Sequence, residues 1–272
     1  MEDLRNSATT RACIFGTIHT DATLLLMDKL EKTGLKAYVG KVNMDRNSPD
    51  YLCEESAEKA AEDTEKWLAA ARCYENVKPI HTPRFTPSCS DELFEKLSTL
   101  QKKYHLPVQS HLSENVGEIA WVKELCPGTD FYGQSYDRYD MFGKKCPTIM
   151  AHCVHSGEDE IEMMRSQNVF IAHCPESNAN LSSGVAPVKK YLEKGMKIGL
   201  GTDVAAGSSL SIFKAMAMAV QCSKLRWRLQ DQKVEPLTLE EVFYLATRGG
   251  GEFFGKVGSF EKDYEFDAVV LD

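Results

Sequence analysis

Apolar, β-prone runs alternate along the chain with longer stretches of helical periodicity. Seven runs read as strands: Ala12–Ile18, Ala37–Val42, Val77–Thr82, Pro107–Leu112, Thr148–Cys153, Val169–His173 and Lys197–Asp203. Their apolar character is nearly continuous, as in strands covered on both faces. Between them, apolar residues recur at helical spacing over Asp21–Thr33, Ser56–Cys73, Asp91–Tyr104, Val116–Leu125, Glu158–Ser166, Val185–Lys194 and Leu210–Gln230. A last helix is predicted over Thr238–Glu252, followed by a turn and a short strand within Val257–Asp272. Ser90 and Ser156 stand where N-caps belong, and Gly34 and Gly195 where helices stop. Strand–helix alternation of this kind predicts parallel βα units.

Two architectures accommodate seven strands: a (β/α)8 barrel that lacks one, and a doubly wound open sheet. The polar residues separate them. Arg84 and Phe85, His111 and Glu114, His152, His173 and Asp203 lie at or just past the C-terminal end of a predicted strand, five strands in all. A barrel gathers such ends on one ring, whereas an open sheet spreads them along a line. The expected fold is therefore α/β, a TIM-like (β/α)8 barrel.

Composition narrows the classes of function. The chain has 272 residues, 43% hydrophobic and 26% charged, an ordinary globular balance. A net charge of -8 offers no basic footprint for nucleic acid or an anionic membrane. No apolar stretch approaches the roughly 20 residues of a membrane span, and the polar N-terminus MEDLRNSATT lacks a signal-peptide core. Nine scattered cysteines without a C-x-x-C pair read as reduced thiols in a cytoplasmic protein. They also argue against a zinc finger or a cysteine-liganded deaminase site.

His111 and Glu114 form H-x-x-E at a strand end, His152 closes Thr-Ile-Met-Ala-His, and Asp203 follows Ile-Gly-Leu-Gly-Thr. A neutral imidazole is a good Zn²⁺ ligand, and a nearby carboxylate can carry protons. A lone strand-end histidine is more often structural. A carboxylate at the end of a buried strand is costly unless it is paired or bound to metal. Taken together, His111, His152 and Asp203 are the candidate metal ligands. For Arg84 and Phe85 the plain alternative is a surface ion pair beside a core aromatic.

These residues resemble the amidohydrolase superfamily, whose barrel carries a His-x-His on its first strand, histidines on the fifth and sixth, and an aspartate on the eighth. If the seven strands are the second to the eighth, His111, His152 and Asp203 fall on the fifth, sixth and eighth. Within the superfamily the chain is most similar to the guanine deaminase family, through ACIFGTIHTD (Ala12–Asp21), VGKVNMD (Val39–Asp45), KPIHTPRFTPSCS (Lys78–Ser90), QSHLSEN (Gln109–Asn115), the Met150–His152 stretch, IAHCPESNANLSS (Ile171–Ser183) and KIGLGTDVA (Lys197–Ala205).

The resemblance implies a zinc-dependent hydrolytic deamination of guanine to xanthine and ammonia, with one Zn²⁺ per chain on His111, His152 and Asp203. Glu114 and Asp203 would be the catalytic proton carriers. Arg84, Phe85, His111, Glu114 and Asp203 would contact the purine, Arg84 through its carbonyl and Phe85 across its plane. His173 is expected to line the pocket or orient its loop, Asn178 and Ser182–Gly184 to shape the mouth, and His19 and His155 to be structural or supporting. The expected partners are a purine and a second copy of the chain in a homodimer.

The chain departs from the family pattern at its start. It holds no His-x-His, so residues 1–256 are expected to form a barrel without its first strand, and residues 257–272 to be a remnant of the small flanking β domain. Two strand edges would then lie unpaired. Three protein ligands and a water still make a complete catalytic set by count. A fragment of an active deaminase, an inactive isoform acting as a binding or oligomerisation partner, a related amidohydrolase with another substrate and a metal-free interaction protein are the readings left open. By itself the chain is expected to turn over little or no guanine.

Overall fold

The computed structural model describes residues 1–271. Its strands are β1 (Arg11–Phe15), β2 (Lys36–Gly40), β3 (Val42–Asn43), β4 (Val77–Pro79), β5 (Thr82–Pro83), β6 (Val108–Leu112), β7 (Thr148–His152), β8 (Phe170–His173) and β9 (Ile198–Leu200). The α-helices are α1 (Glu2–Arg5), α2 (Thr20–Glu31), α3 (Ala57–Ala70), α4 (Asp91–Tyr104), α5 (Val116–Leu125), α6 (Gln134–Asp137), α7 (Glu158–Ser166), α8 (Pro175–Asn180), α9 (Val188–Glu193), α10 (Ile212–Leu229) and α11 (Leu239–Tyr244). They fall into two compact units. One comprises residues 1, 11–111 and 120–148, the other residues 2–10, 112–119 and 149–271. No helix among the described residues is long and apolar enough to cross a membrane.

In the first unit β1, β2 and β4 are parallel, with Ala12 opposite Ala37 and Ala37 opposite Val77. The ladder continues from β3 to β5, Val42 opposite Thr82, and from His81 to Val108. Two predicted strands are thus each divided in two. Pro79 has no N–H to extend its ladder. At the other break, Gly40 passes so close to Thr82 that a Cβ would sit 1.7 Å from its Oγ1. The helices cover these strands for the reasons the pattern suggests. Met27 and Leu30 of α2, Trp67 of α3, and Leu93, Phe94 and Leu97 of α4 are fully buried. The Ser56 and Ser90 hydroxyls accept from the Lys59 and Leu93 N–H groups and cap α3 and α4. Gly34 (φ +76°) and His105 (φ +54°) end α2 and α4 in the left-handed region.

Lys41, predicted as part of a strand, is buried and paired with Glu54. The other Glu54 oxygen accepts from the Met44 N–H at 2.9 Å. Burial raises the Glu54 pKa, while the Lys41 charge pulls it back down. His81 is buried too, and neither ring nitrogen has a hydrogen-bond partner among the described residues. Burial pushes its pKa down to about 4. An unfolded chain takes up this proton below about pH 6.5, the folded chain only near pH 4. Stability present above the unfolded value is therefore lost as pH falls through that window, by up to about 3 kcal/mol. Urea midpoints at pH 7 and pH 4.5 are expected to fall further for the wild type than for His81→Leu; equal falls would contradict this.

In the second unit β7, β8 and β9 are parallel and in register, Met150 opposite Ile171 and Ile171 opposite Ile198. The Leu112 carbonyl accepts from the Cys153 N–H at 2.9 Å. Gly199 of β9 would bring a Cβ to 2.7 Å from the Gly250 Cα, so two glycines let the segment after α11 lie against the strand. The predicted last helix is there but not uniform: it is capped at Thr238, α-helical to Tyr244, widens into a π-helical turn over Leu245–Gly249 and ends in a 3-10 turn over Glu252–Phe254. Ser156 does not cap α7 either: Gly157 holds the cap position without a side-chain bond. The Val185–Lys194 helix begins only at Val188, after Pro187. The tail carries no strand among the described residues; the strand expected within residues 257–272 ends on Asp272, outside them. All nine cysteines are free thiols.

Candidate metal and acid–base site

The predicted site residues divide between the two units, and each group is built by its own surroundings. In the first unit, β5 delivers Arg84 and Phe85 and β6 delivers His111. The Arg84 N–H donates to the Asn43 carbonyl at 3.0 Å. Its carbonyl in turn accepts from His111 Nδ1 at 2.6 Å. A carbonyl can only accept, so the neutral His111 ring carries its proton on Nδ1 and its lone pair on Nε2. The Arg84 guanidinium is exposed and lies 5.0 Å over the Phe85 ring. Phe85 also meets Trp121 and His111 edge-on, each with ring centroids 6.4 Å apart. Tyr136 of α6 fixes the two strand ends together. Its buried hydroxyl donates to the His111 carbonyl at 2.8 Å and accepts from the Thr86 N–H at 3.2 Å. Nothing in the sequence signalled this tyrosine.

In the second unit His152 ends β7, Asp203 follows β9, and Glu114 lies in the 112–119 segment. His152 is buried, and its Nδ1 donates to Asn178 Oδ1 at 2.8 Å. The same tautomer results as at His111, with the lone pair on Nε2. That atom lies 3.7 Å from Glu114 Oε2. With a neutral ring both atoms are acceptors, and a proton or a cation between them relieves their opposition. The other Glu114 oxygen, Oε1, accepts from Ser183 Oγ at 2.8 Å. Asp203 Oδ2 accepts from Ser177 Oγ at 2.5 Å. His152 (φ +75°), Cys153 (φ +48°) and Asp203 (φ +47°) all occupy the left-handed region, which costs non-glycine residues about 1–3 kcal/mol each. Such residues cluster where side-chain direction matters more than backbone comfort.

Ligand atoms of His152, Cys174 and Asp203 lie within 4.8 Å of one another. Cys174 was not singled out in the sequence, where it is one of nine dispersed cysteines. Burial drives its thiol pKa far up, reinforced by the Asp203 and Glu114 charges. The Cys174 proton points toward the Ala172 carbonyl, 3.5 Å away. The imidazole and carboxylate are the better donors here, and nitrogen and oxygen donors suit Zn²⁺. His173 is buried beside His152; desolvation, then the neighbouring His152 ring, push its pKa down to about 3. Its Nδ1 has no hydrogen-bond partner among the described residues. His155 donates from Nε2 to the Ser183 carbonyl at 2.7 Å. His19 is exposed at the start of α2.

The chain matches the sequence profile of the amidohydrolase family over residues 1–272. It is 41% identical over 269 residues to the guanine deaminase of Dictyostelium discoideum, an alignment covering 97% of this chain and 59% of that protein. To the guanine deaminase of Mus musculus it is 43% identical over 278 residues, covering 99% of this chain and 60% of that one. The crystal structure of guanine deaminase from C. acetobutylicum, with guanine bound in its active site, superposes with a TM-score of 0.94 at 51% identity, covering 98% of this chain and 63% of that chain. The chain thus spans less than two thirds of each of these relatives. Its parallel α/β architecture and its match along the whole sequence agree, and the chain belongs to the amidohydrolase family.

Proposed function

We propose that the protein carrying this chain hydrolyses guanine to xanthine and ammonia with the help of Zn²⁺. The observation that carries this reading is the likeness, at 51% identity, to a guanine deaminase solved with guanine in its active site. His152 and Asp203 would hold the ion, and His111 is proposed as a further ligand on the family resemblance. Zn²⁺ supplies Lewis acidity and brings the pKa of water toward neutrality.

The chain's own residues carry the rest. Ser177 engages Asp203 Oδ2, which directs Oδ1 to the task of removing a proton from the attacking water. Ser183 engages Glu114 Oε1, which leaves Oε2 to deliver a proton to the ring nitrogen beside C2. Water oxygen bonds to C2, the proton taken by Asp203 passes to the exocyclic nitrogen, the bond from C2 to that nitrogen breaks and ammonia leaves. The proton from Glu114 stays on the ring nitrogen of xanthine, and Glu114 recovers the remaining hydroxyl proton. The Arg84 guanidinium donates to the purine carbonyl, and Phe85 packs on the purine plane. Stacking on Phe85 holds the guanidinium ready.

Ammonia release by the full protein across guanine, adenine, cytosine and s-triazines tests the reading. Guanine is expected to be the preferred substrate by kcat/KM, and preference for any other compound would overturn it. Arg84→Ala is expected to raise KM for guanine about 10- to 100-fold with little change in kcat, as for a lost hydrogen bond to a charged donor. Steady-state kinetics would contradict this role if KM were unchanged.

A further inference from the structure

We propose that Ser177, Asn178 and Ser183, all within seven residues of one another, are positioning residues that aim Asp203, His152 and Glu114 respectively. The inference rests on the functional reading above and extends it to residues that touch neither substrate nor metal. The three side-chain bonds measure 2.5 Å from Ser177 Oγ to Asp203 Oδ2, 2.8 Å between Asn178 Oδ1 and His152 Nδ1, and 2.8 Å from Ser183 Oγ to Glu114 Oε1. All three residues are nearly inaccessible, at 0%, 1% and 5% exposure. A buried hydroxyl or amide spent on a carboxylate or an imidazole removes a rotation that the functional group would otherwise keep.

The stretch has the stiffness such a template needs. Pro175 starts α8 with its φ preset. The Ser177 and Asn178 carbonyls accept from the Leu181 and Ser183 N–H groups at 2.9 and 2.8 Å, closing the turn. Ser182 turns the chain at φ +58°. The Ser183 carbonyl is held from outside by His155 Nε2. Asn180 Nδ2 reaches the Ala206 carbonyl at 2.8 Å and ties the stretch to the turn that follows Asp203. One short segment therefore sets the direction of the two groups on the metal side and of the proton donor on the other.

The division of labour makes the effects separable. Asn178 serves a metal ligand and Ser183 serves the proton donor, so the two should fail differently. In the full protein, Zn²⁺ affinity is read by chelator competition and turnover by ammonia release, with circular dichroism as the check on folding. Asn178→Ala is expected to weaken Zn²⁺ binding about 10- to 100-fold, and Asn178→Asp, which keeps the acceptor, to retain most of it. Ser183→Ala is expected to leave Zn²⁺ affinity and KM within about twofold and to lower kcat about tenfold or more, with Ser183→Thr recovering most of the loss.

The proposal is overturned if Ser183→Ala loses Zn²⁺ as Asn178→Ala does, if both alanine variants match the wild type, or if neither conservative variant restores function. Its failure is distinguishable from that of the functional reading. The Zn²⁺ arm needs no substrate and stands even if guanine is not turned over. Wild-type guanine turnover with silent variants would sink the positioning roles alone.

Discussion

Glu114→Gln in the full protein will lower kcat for guanine about 100- to 10,000-fold while Zn²⁺ stays bound, the range expected for loss of a positioned acid–base group. Glutamine keeps the size of glutamate and an oxygen that accepts from Ser183 Oγ, so the 2.8 Å contact and the local packing survive. What disappears is a carboxyl able to shuttle a proton next to His152 Nε2, 3.7 Å away. KM should change little, because the lost step belongs to the transition state. A fall of less than tenfold, or loss of the metal, would assign Glu114 another role.

Asp203→Asn will be the most damaging single change, with a loss in kcat of about 10,000-fold or more. Asparagine retains an acceptor for Ser177 Oγ and the side-chain volume, so the fold should persist by circular dichroism. It removes at once the proposed negative ligand and the proposed base for the attacking water. Zn²⁺ content after dialysis should fall together with activity. A variant that keeps both its zinc and more than about 1% of the activity would contradict the double duty given to Asp203.

Much of this was legible in the sequence. The strands carry near-continuous apolar runs, and Val77, Val108, Met150 and Ile171 are indeed fully buried. The helix pattern held where an amphipathic face met a serine cap, at Ser56 before α3 and Ser90 before α4. Asp203 stood out as a candidate because a carboxylate at the end of such a run is costly unless paired or bound to metal, and His111 and His152 became candidates only together with it and with the family resemblance.

What stayed hidden was what periodicity does not encode. Lys41 looked like strand, and its burial depends on Glu54, thirteen residues on. Tyr136 lies in a four-residue helix too short to show a pattern, yet its hydroxyl joins two strand ends. Ser177 and Ser183 are ordinary turn residues by composition, and only the fold reveals which carboxylate each one serves. The left-handed backbone at His152 and Asp203 is carried by side-chain-bearing residues, so no glycine announced it. The π-helical turn at Leu245–Gly249 is likewise unmarked in the sequence; it lies beside β9, where Gly199 meets Gly250.

The proposed zinc-assisted deamination of guanine draws on Glu114, His152 and Asp203. Its most direct test follows xanthine formation from guanine by the full protein, as isolated, after removal of metal by a chelator, and after restoration of one equivalent of Zn²⁺. Xanthine formation that stops on chelation and returns with Zn²⁺ is the predicted result; no xanthine from the zinc-loaded protein, or turnover indifferent to the chelator, would contradict it.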